Sequence, residues 1–211
     1  LVGKRVRPVC VLMGNELFDD IDPDSYEVAA AIELFHNFSL IHDDIMDKAP
    51  LRRGNPTVHE KWNSNVAILS GDAMFVKSCQ LMMMAPPSVI PAVMQLFLTT
   101  ALEVCEGQQM DMDFESLSRV SIEEYLEMIR LKTAVLVGGS LGIGALIAGA
   151  SSADVQHMYD FGVNLGVAFQ LQDDILDVYG DADKFGKQVG GDILSNKKTF
   201  LLLTAMQLAD G

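Results

Sequence analysis

Two five-residue segments of this chain carry three aspartates each in one arrangement. They are Asp43-Asp44-Ile45-Met46-Asp47 and Asp173-Asp174-Ile175-Leu176-Asp177, set 130 positions apart. On a helix, the first and fifth residues of such a segment lie about 40° apart and about one 5.4 Å turn from each other. Like charges at that spacing cost a helix about 0.2–0.5 kcal/mol, so solvation alone is a poor reason to place two such pairs. A hard divalent cation removes the repulsion. Mg²⁺ takes few carboxylates, keeps several waters and completes its octahedron with diphosphate oxygens. One copy alone reads equally well as a solvated acidic helix end in so acidic a chain. The repetition on one helical phase favours metal binding, and basic residues follow each copy: Arg52 and Arg53 after the first, Lys184 and Lys187 after the second.

Long helices are needed to present both segments. Asp22-Pro23 reads as an N-cap and first helical position, opening a helix to about Met46 with an apolar stripe of Leu34, Phe38, Ile41 and Ile45. Ser121 and Glu124 form a capping box ahead of the region holding Glu127, Arg130 and Lys132. Ser151 with Asp154 opens another helix to about Val178, with Ala168, Leu171, Ile175 and Val178 at core spacing. Ala85-Pro86-Pro87 breaks the chain between two helical segments, and the Gly- and charge-rich stretch 180–198 reads as the longest loop. Strand signals are nearly absent. The expectation is one all-α domain over residues 1–211, with matched acidic helix ends presented to one cavity.

Composition narrows the function further. With 49% hydrophobic and 21% charged residues among 211, the chain can bury a sizeable core, which excludes intrinsic disorder. Acidic residues outnumber Lys and Arg by 29 to 15, a formal charge of -14. So negative a surface repels phosphate backbones, and no nucleic-acid partner is expected. A phosphate-bearing ligand must instead meet a local basic cluster or a bound cation. Cys10, Cys79 and Cys105 are odd in number and widely spaced, as expected of reduced thiols in a cytoplasmic protein. Lys4, Arg5 and Arg7 lead into only a short apolar stretch, so no signal peptide is expected. The uncharged stretch Ala134–Ala153 is long enough to weigh as a membrane span. Its five glycines and five alanines suit close helix packing, and a buried core helix is expected rather than a span.

Five ordered segments carry a family resemblance. They are Gly3-Lys4-Arg5-Val6-Arg7-Pro8, Leu40 to Gly54 (LIHDDIMDKAPLRRG), Lys132-Thr133, Phe169-Gln170-Leu171-Gln172 ahead of the second aspartate run, and a final loop. That loop contains Gly186-Lys187, Gly191-Asp192 and Asn196-Lys197-Lys198-Thr199. Over nearly its whole length the chain resembles the trans-isoprenyl diphosphate synthases, the polyprenyl synthetase family that includes short-chain farnesyl and geranylgeranyl diphosphate synthases. The resemblance implies the isoprenoid synthase fold, an antiparallel helix bundle around a central cavity, and a homodimer. It also implies a helix before GKRVRP and further helices after the final lysine motif, which this sequence is expected not to include. The implied reaction is all-trans prenyl transfer, in which an allylic diphosphate ionises to a carbocation that isopentenyl diphosphate attacks, with three Mg²⁺ ions assisting.

Site roles follow from the same resemblance. Asp43, Asp47 and Asp173 are implied metal ligands, with Asp44, Asp174 and Asp177 as further ligands or supports. Arg52, Lys132, Lys187 and Lys197 are implied contacts to the allylic diphosphate, with Thr133 and Gln170 as polar positioning groups. Lys4, Arg7, His36 and Arg53 are implied to hold isopentenyl diphosphate. Helical geometry supports His36, seven residues before Asp43 and about 20° off the same face, although a lone histidine among apolar neighbours also suits a core. The segment Glu106-Gly107-Gln108-Gln109-Met110-Asp111 resembles one that lines the family's cavity. Ser39 and Phe38, four and five places before the first aspartate, correspond to chain-length positions and imply a C20 product, with C15 the alternative. On the helical wheel Phe38 shares the apolar stripe, which leaves Phe35 as a second candidate floor. Rival readings are a terpene cyclase of the same fold, a catalytically silent regulatory subunit, and an acidic helical scaffold or Ca²⁺ buffer. The second DDILD with Gln170 and the lysine loop disfavours a cyclase, and two intact aspartate motifs disfavour the silent subunit.

Overall fold

The computed structural model describes residues 3–180 and 197–209. They form helices α1 (Val6–Glu16), α2 (Asp24–Met46), α3 (Val58–Lys61), α4 (Ser64–Met82), α5 (Ile90–Ser116), α6 (Ile122–Ile129), α7 (Val135–Ile147), α8 (Ser152–Tyr179) and α9 (Phe200–Ala209). A two-stranded hairpin, β1 (Leu51–Arg52) and β2 (Asn55–Pro56), is the only sheet among the described residues. The all-α expectation holds. The chain divides into two compact units, Leu1–Thr99 with Gly139–Tyr159, and Thr100–Gly138 with Asp160–Gly211.

In the first unit, α2 packs against α1 and α4. Asp22 Oδ1 accepts from the Asp24 N–H at 2.8 Å, and Asp24 and Glu27 in the first turn suit the positive end of the helix dipole. The fully buried face of α2 runs Ser25, Val28, Ile32, Phe35. That corrects the expected stripe: Leu34, Phe38, Ile41 and Ile45 are only partly buried. Residues 28–41 are apolar around most of the helix, so periodicity admits more than one stripe, and the packing of α1 and α4 selects among them. Phe35 sits edge-on to Phe97 at 5.4 Å, with Phe75 at 6.0 Å and Phe38 at 5.5 Å. Against α7, α1 approaches to backbone contact: a methyl group at Gly144 would meet the Val11 carbonyl and lie 2.8 Å from the Asn15 nitrogen. Buried Asn15 then accepts at Oδ1 from the Asp22 N–H (2.9 Å) and the Ser25 hydroxyl (2.6 Å), tying α1 to the start of α2.

The second unit gathers Phe114, Val120, Tyr125, Met128, Ile129 and Leu203 into a core. The capping box forms as expected: Ser121 Oγ accepts from the Glu124 N–H at 3.1 Å, and Glu124 accepts from the Ser121 N–H at 2.8 Å. Beyond Ile129 the helix widens into a π turn, Arg130–Ala134, before α7 begins. Gly107 of α5 makes room for it, because a methyl group there would collide with the Lys132 backbone nitrogen and lie 2.7 Å from the Leu131 carbonyl carbon. The helical stretch Ile122–Ile147 is long and apolar enough to cross a membrane, and 78% of its most apolar window is buried within the protein.

Candidate active site

The hairpin delivers an arginine pair to the end of α2. Its tip residues Arg53 (φ 53) and Gly54 (φ 74) are both left-handed, as a tight two-residue turn requires. Arg52 is thereby aimed back at the first aspartate motif. Its Nε and Nη2 each lie 2.7 Å from Asp44 Oδ1, and Nη2 donates to Asp43 Oδ2 at 3.1 Å. Asp44 is 4% exposed, and burial pushes its carboxyl above the ordinary range against the opposing pull of Arg52. Asp43 and Asp47, one turn apart, are partly exposed, and the Asp47 N–H donates to the Asp43 carbonyl at 2.9 Å.

Further basic residues act on His36, on the same helix as this motif. Arg7 Nη1 is 3.3 Å from His36 Nε2, while the Arg7 Nε–H is buried with no hydrogen-bond acceptor. Burial lowers the Arg7 pKa to about 10, with Arg53 adding repulsion. Burial first, then Arg7, Arg53, Arg52 and Arg5, hold His36 at about 3, so its imidazole is neutral at physiological pH. One guanidinium, that of Arg7, thus lies against an uncharged ring, and the charges of Arg53, Arg52 and Arg5 add to the positive potential it feels. Arg5 also pairs with Glu33, and a methyl group on Gly3 would touch the Arg53 guanidinium at 2.8 Å. Lys4 is exposed at the start of the same segment.

The second unit assembles its own set. Lys132, displayed by the π turn, places Nζ 2.6 Å from Asp111 Oδ2, and Lys197 Nζ lies 4.0 Å from the same oxygen. The Thr133 hydroxyl donates to Gln170 Oε1 at 3.5 Å. Gln170 Nε2 donates in turn to Asp174 Oδ1 at 3.3 Å. Asp174 is 3% exposed, and its Oδ2 also accepts from the Tyr125 hydroxyl and from the Phe200 N–H at 3.3 Å. Burial raises its carboxyl above the usual range, with Tyr125 the main opposing donor. Asp173 is partly exposed, while Asp177 is buried. In both motifs, therefore, the second aspartate is buried against protein donors and the first is less buried, although Asp43 shares Arg52 with Asp44. Adjacent positions on a helix lie about 100° apart, which is the reason.

Among the described residues, no group of three or more His, Cys, Asp or Glu gathers in a metal-holding arrangement. The donors still fit Mg²⁺, which binds through one or two hard carboxylates and fills its remaining positions with water and phosphate oxygens. Lys187 lies outside the described residues. Sequence reasoning missed Tyr125 and the Asp111 bridge between two lysines. A buried tyrosine at core spacing carries no sign of an acceptor 49 positions away, whereas Asp111 closes a segment already notable by resemblance.

An all-helical fold carrying paired aspartate motifs, each beside its own cationic cluster, defines an isoprenoid synthase type of protein. A family model described as Polyprenyl synthetase matches residues 1–211. A geranylgeranyl diphosphate synthase of Sulfolobus acidocaldarius is 44% identical over 98% of this chain and 64% of its own length. A geranylfarnesyl diphosphate synthase of Natronomonas pharaonis is 39% identical over 96% and 65%. A solved geranylgeranyl pyrophosphate synthase superposes with a TM-score of 0.95 at 51% identity, covering 99% of this chain and 64% of that one. A Helicobacter pylori geranyltransferase, solved with magnesium and isoprenyl diphosphate, gives 0.83 at 31% identity over 99% and 72%. The chain belongs to the polyprenyl synthetase family. It spans under two thirds of the length of these two curated relatives.

Proposed function

We propose that this protein is a Mg²⁺-dependent prenyltransferase that joins an allylic diphosphate to isopentenyl diphosphate and makes all-trans products. The observation that carries the reading is Arg7 beside neutral His36, its buried guanidinium N–H lacking an acceptor, in the positive potential of Arg53, Arg52 and Arg5. Such a setting calls for a multiply charged anion. Arg7, Arg53, Lys4 and His36 hold the diphosphate of isopentenyl diphosphate, His36 as a neutral hydrogen-bonding group. Lys132 and Lys197, with Thr133, Gln170, Arg52 and Lys187, hold the allylic diphosphate. Mg²⁺ bound through Asp43, Asp47 and Asp173, with three ions per site in the family pattern, would neutralise the leaving diphosphate.

The allylic C–O bond breaks and its electron pair leaves with the diphosphate. The π pair of isopentenyl diphosphate then forms the new C–C bond, and a proton passes to the released diphosphate. Lysine and arginine charges fixed before the reaction stabilise that leaving group without reorganisation. Relatives named for geranylgeranyl and geranylfarnesyl products support a C20–C25 product, longer than the C15–C20 range expected from Phe38 and Ser39. Both units are parts of one catalytic domain in this reading, and three unpaired thiols support a reducing, cytoplasmic setting.

A homodimer is proposed as well. Val66, Leu69, Ala73 and Val76 form an exposed stripe on α4 at seam-like spacing, with Leu69 at 69% exposure. The decisive experiment incubates full-length protein with labelled isopentenyl diphosphate, with and without farnesyl diphosphate. Label should enter a longer prenyl diphosphate only with the primer and Mg²⁺, and excess chelator should abolish it. Hydrocarbon formed from the primer alone would favour a cyclase, and absence of any turnover would refute the reading.

A further inference from the structure

Asp174 belongs to the second aspartate motif, yet it is bound on both oxygens by protein. Gln170 Nε2 reaches Oδ1 at 3.3 Å, while the Tyr125 hydroxyl and the Phe200 N–H, the latter at 3.3 Å, reach Oδ2. Phe200 opens α9 directly after Lys197-Lys198-Thr199. Buried Thr199 fixes the same turn, its Oγ1 accepting from the Leu202 N–H at 3.4 Å and its carbonyl from the Leu203 N–H at 3.0 Å. Tyr125 itself is 2% exposed within an otherwise apolar core cluster. A phenol in such a core needs an acceptor, and Asp174 Oδ2 provides it.

We propose that Tyr125 is a positioning residue of the allylic diphosphate site, whose hydroxyl acts through Asp174 to fix the start of α9 and so to place Lys197 beside Lys132. The chain of contacts is continuous: Tyr125 to Asp174, Asp174 to Phe200, then three residues back to Lys197, 4.0 Å from the Asp111 oxygen that also binds Lys132. Removing the hydroxyl leaves the buried carboxylate with the bonds from Gln170 and the Phe200 amide. The Phe200 amide then has a weaker anchor, and the lysine ahead of it loses its fixed place. Tyr125 touches neither substrate nor metal in this account.

The inference rests on the prenyl-transfer reading, and its test separates the two. Full-length wild type, Tyr125→Phe and Met128→Ala are compared, the last altering the same core cluster with no hydrogen bond to Asp174. Tyr125→Phe should raise KM for farnesyl diphosphate about tenfold, the usual scale for a hydrogen bond to a charged group, and KM for isopentenyl diphosphate by less than about twofold. Met128→Ala should leave the ratio of the two KM values unchanged. Amide hydrogen exchange at Phe200–Leu203 should speed up about tenfold in Tyr125→Phe relative to Met128→Ala. An equal rise in both KM values, or unaltered exchange, overturns the proposal. A wild type without turnover refutes the prenyl-transfer reading instead, and exchange alone then decides whether the tie exists.

Discussion

His36 makes acid stability a direct measure of the burial and arginine charges that act on it. Its ordinary value is 6.5, and in the folded chain burial and four arginines lower it to about 3. The folded state therefore refuses a proton that the unfolded chain accepts. A depressed histidine contributes stability above 6.5 that is lost as the pH falls toward 3. At about pH 5 the unfolded imidazole is about 1.5 pH units below its midpoint, and each unit is worth about 1.4 kcal/mol. The expected loss between about pH 7.5 and pH 5 is thus about 2 kcal/mol from this one side chain. His36→Gln keeps a neutral polar group and removes the titration. Urea unfolding of both proteins at the two pH values isolates the effect, since the carboxylates and other histidines are common to both. Inorganic pyrophosphate should shrink the difference, because a bound anion offsets the arginine charges that disfavour the imidazolium. Equal losses of stability in wild type and His36→Gln would show that burial and the arginine charges do not hold this ring neutral.

The two aspartates of each motif should behave differently. Asp173→Ala should lower kcat by about two to three orders of magnitude with little change in urea midpoint. Asp44→Ala should cost about 1–3 kcal/mol of stability, because it strips Arg52 of its main acceptor; steady-state kinetics beside unfolding curves checks both. Phe35→Ala removes a ring buried among three others and should cost about 3–5 kcal/mol, whereas Phe38→Ala should cost less and lengthen the product, which chromatography of the reaction products reads. Gly107→Ala should cost about 1–3 kcal/mol and reduce kcat by displacing the π turn that carries Lys132; a variant matching wild type in both would refute that packing.

Local chemistry is legible in the sequence. Asp22-Pro23 marks the start of α2 to within a residue, Ser121 and Glu124 form their capping box, and Ala85-Pro86-Pro87 falls in the gap between α4 and α5, because each signal acts within four residues of itself. The aspartates, Arg52 and the lysines were equally visible as types at spacings. Their divisions of labour were not. Whether Asp44 serves a ligand or Arg52 depends on a hairpin whose Arg53-Gly54 turn lacks the usual Asn-Gly or Asp-Gly signal. The buried side of α2 depends on which helices lie against it, and the link from Tyr125 to Asp174 spans 49 positions. Such facts belong to tertiary packing, where one sequence pattern admits several outcomes.

The π turn at Arg130–Ala134 is a matter of phase. A π turn typically holds one residue more than the α-helical path it interrupts. Upstream, α6 turns Tyr125, Met128 and Ile129 into one core; downstream, α7 is apolar and carries the glycine that meets α1. The extra residue advances the phase of the residues that follow it along the helix by about 100°. Lys132 stands within the reset itself, where the backbone is already displaced from the regular spiral. Deleting a single residue here would leave every other side chain in the sequence and still turn one of the two faces away from its partner.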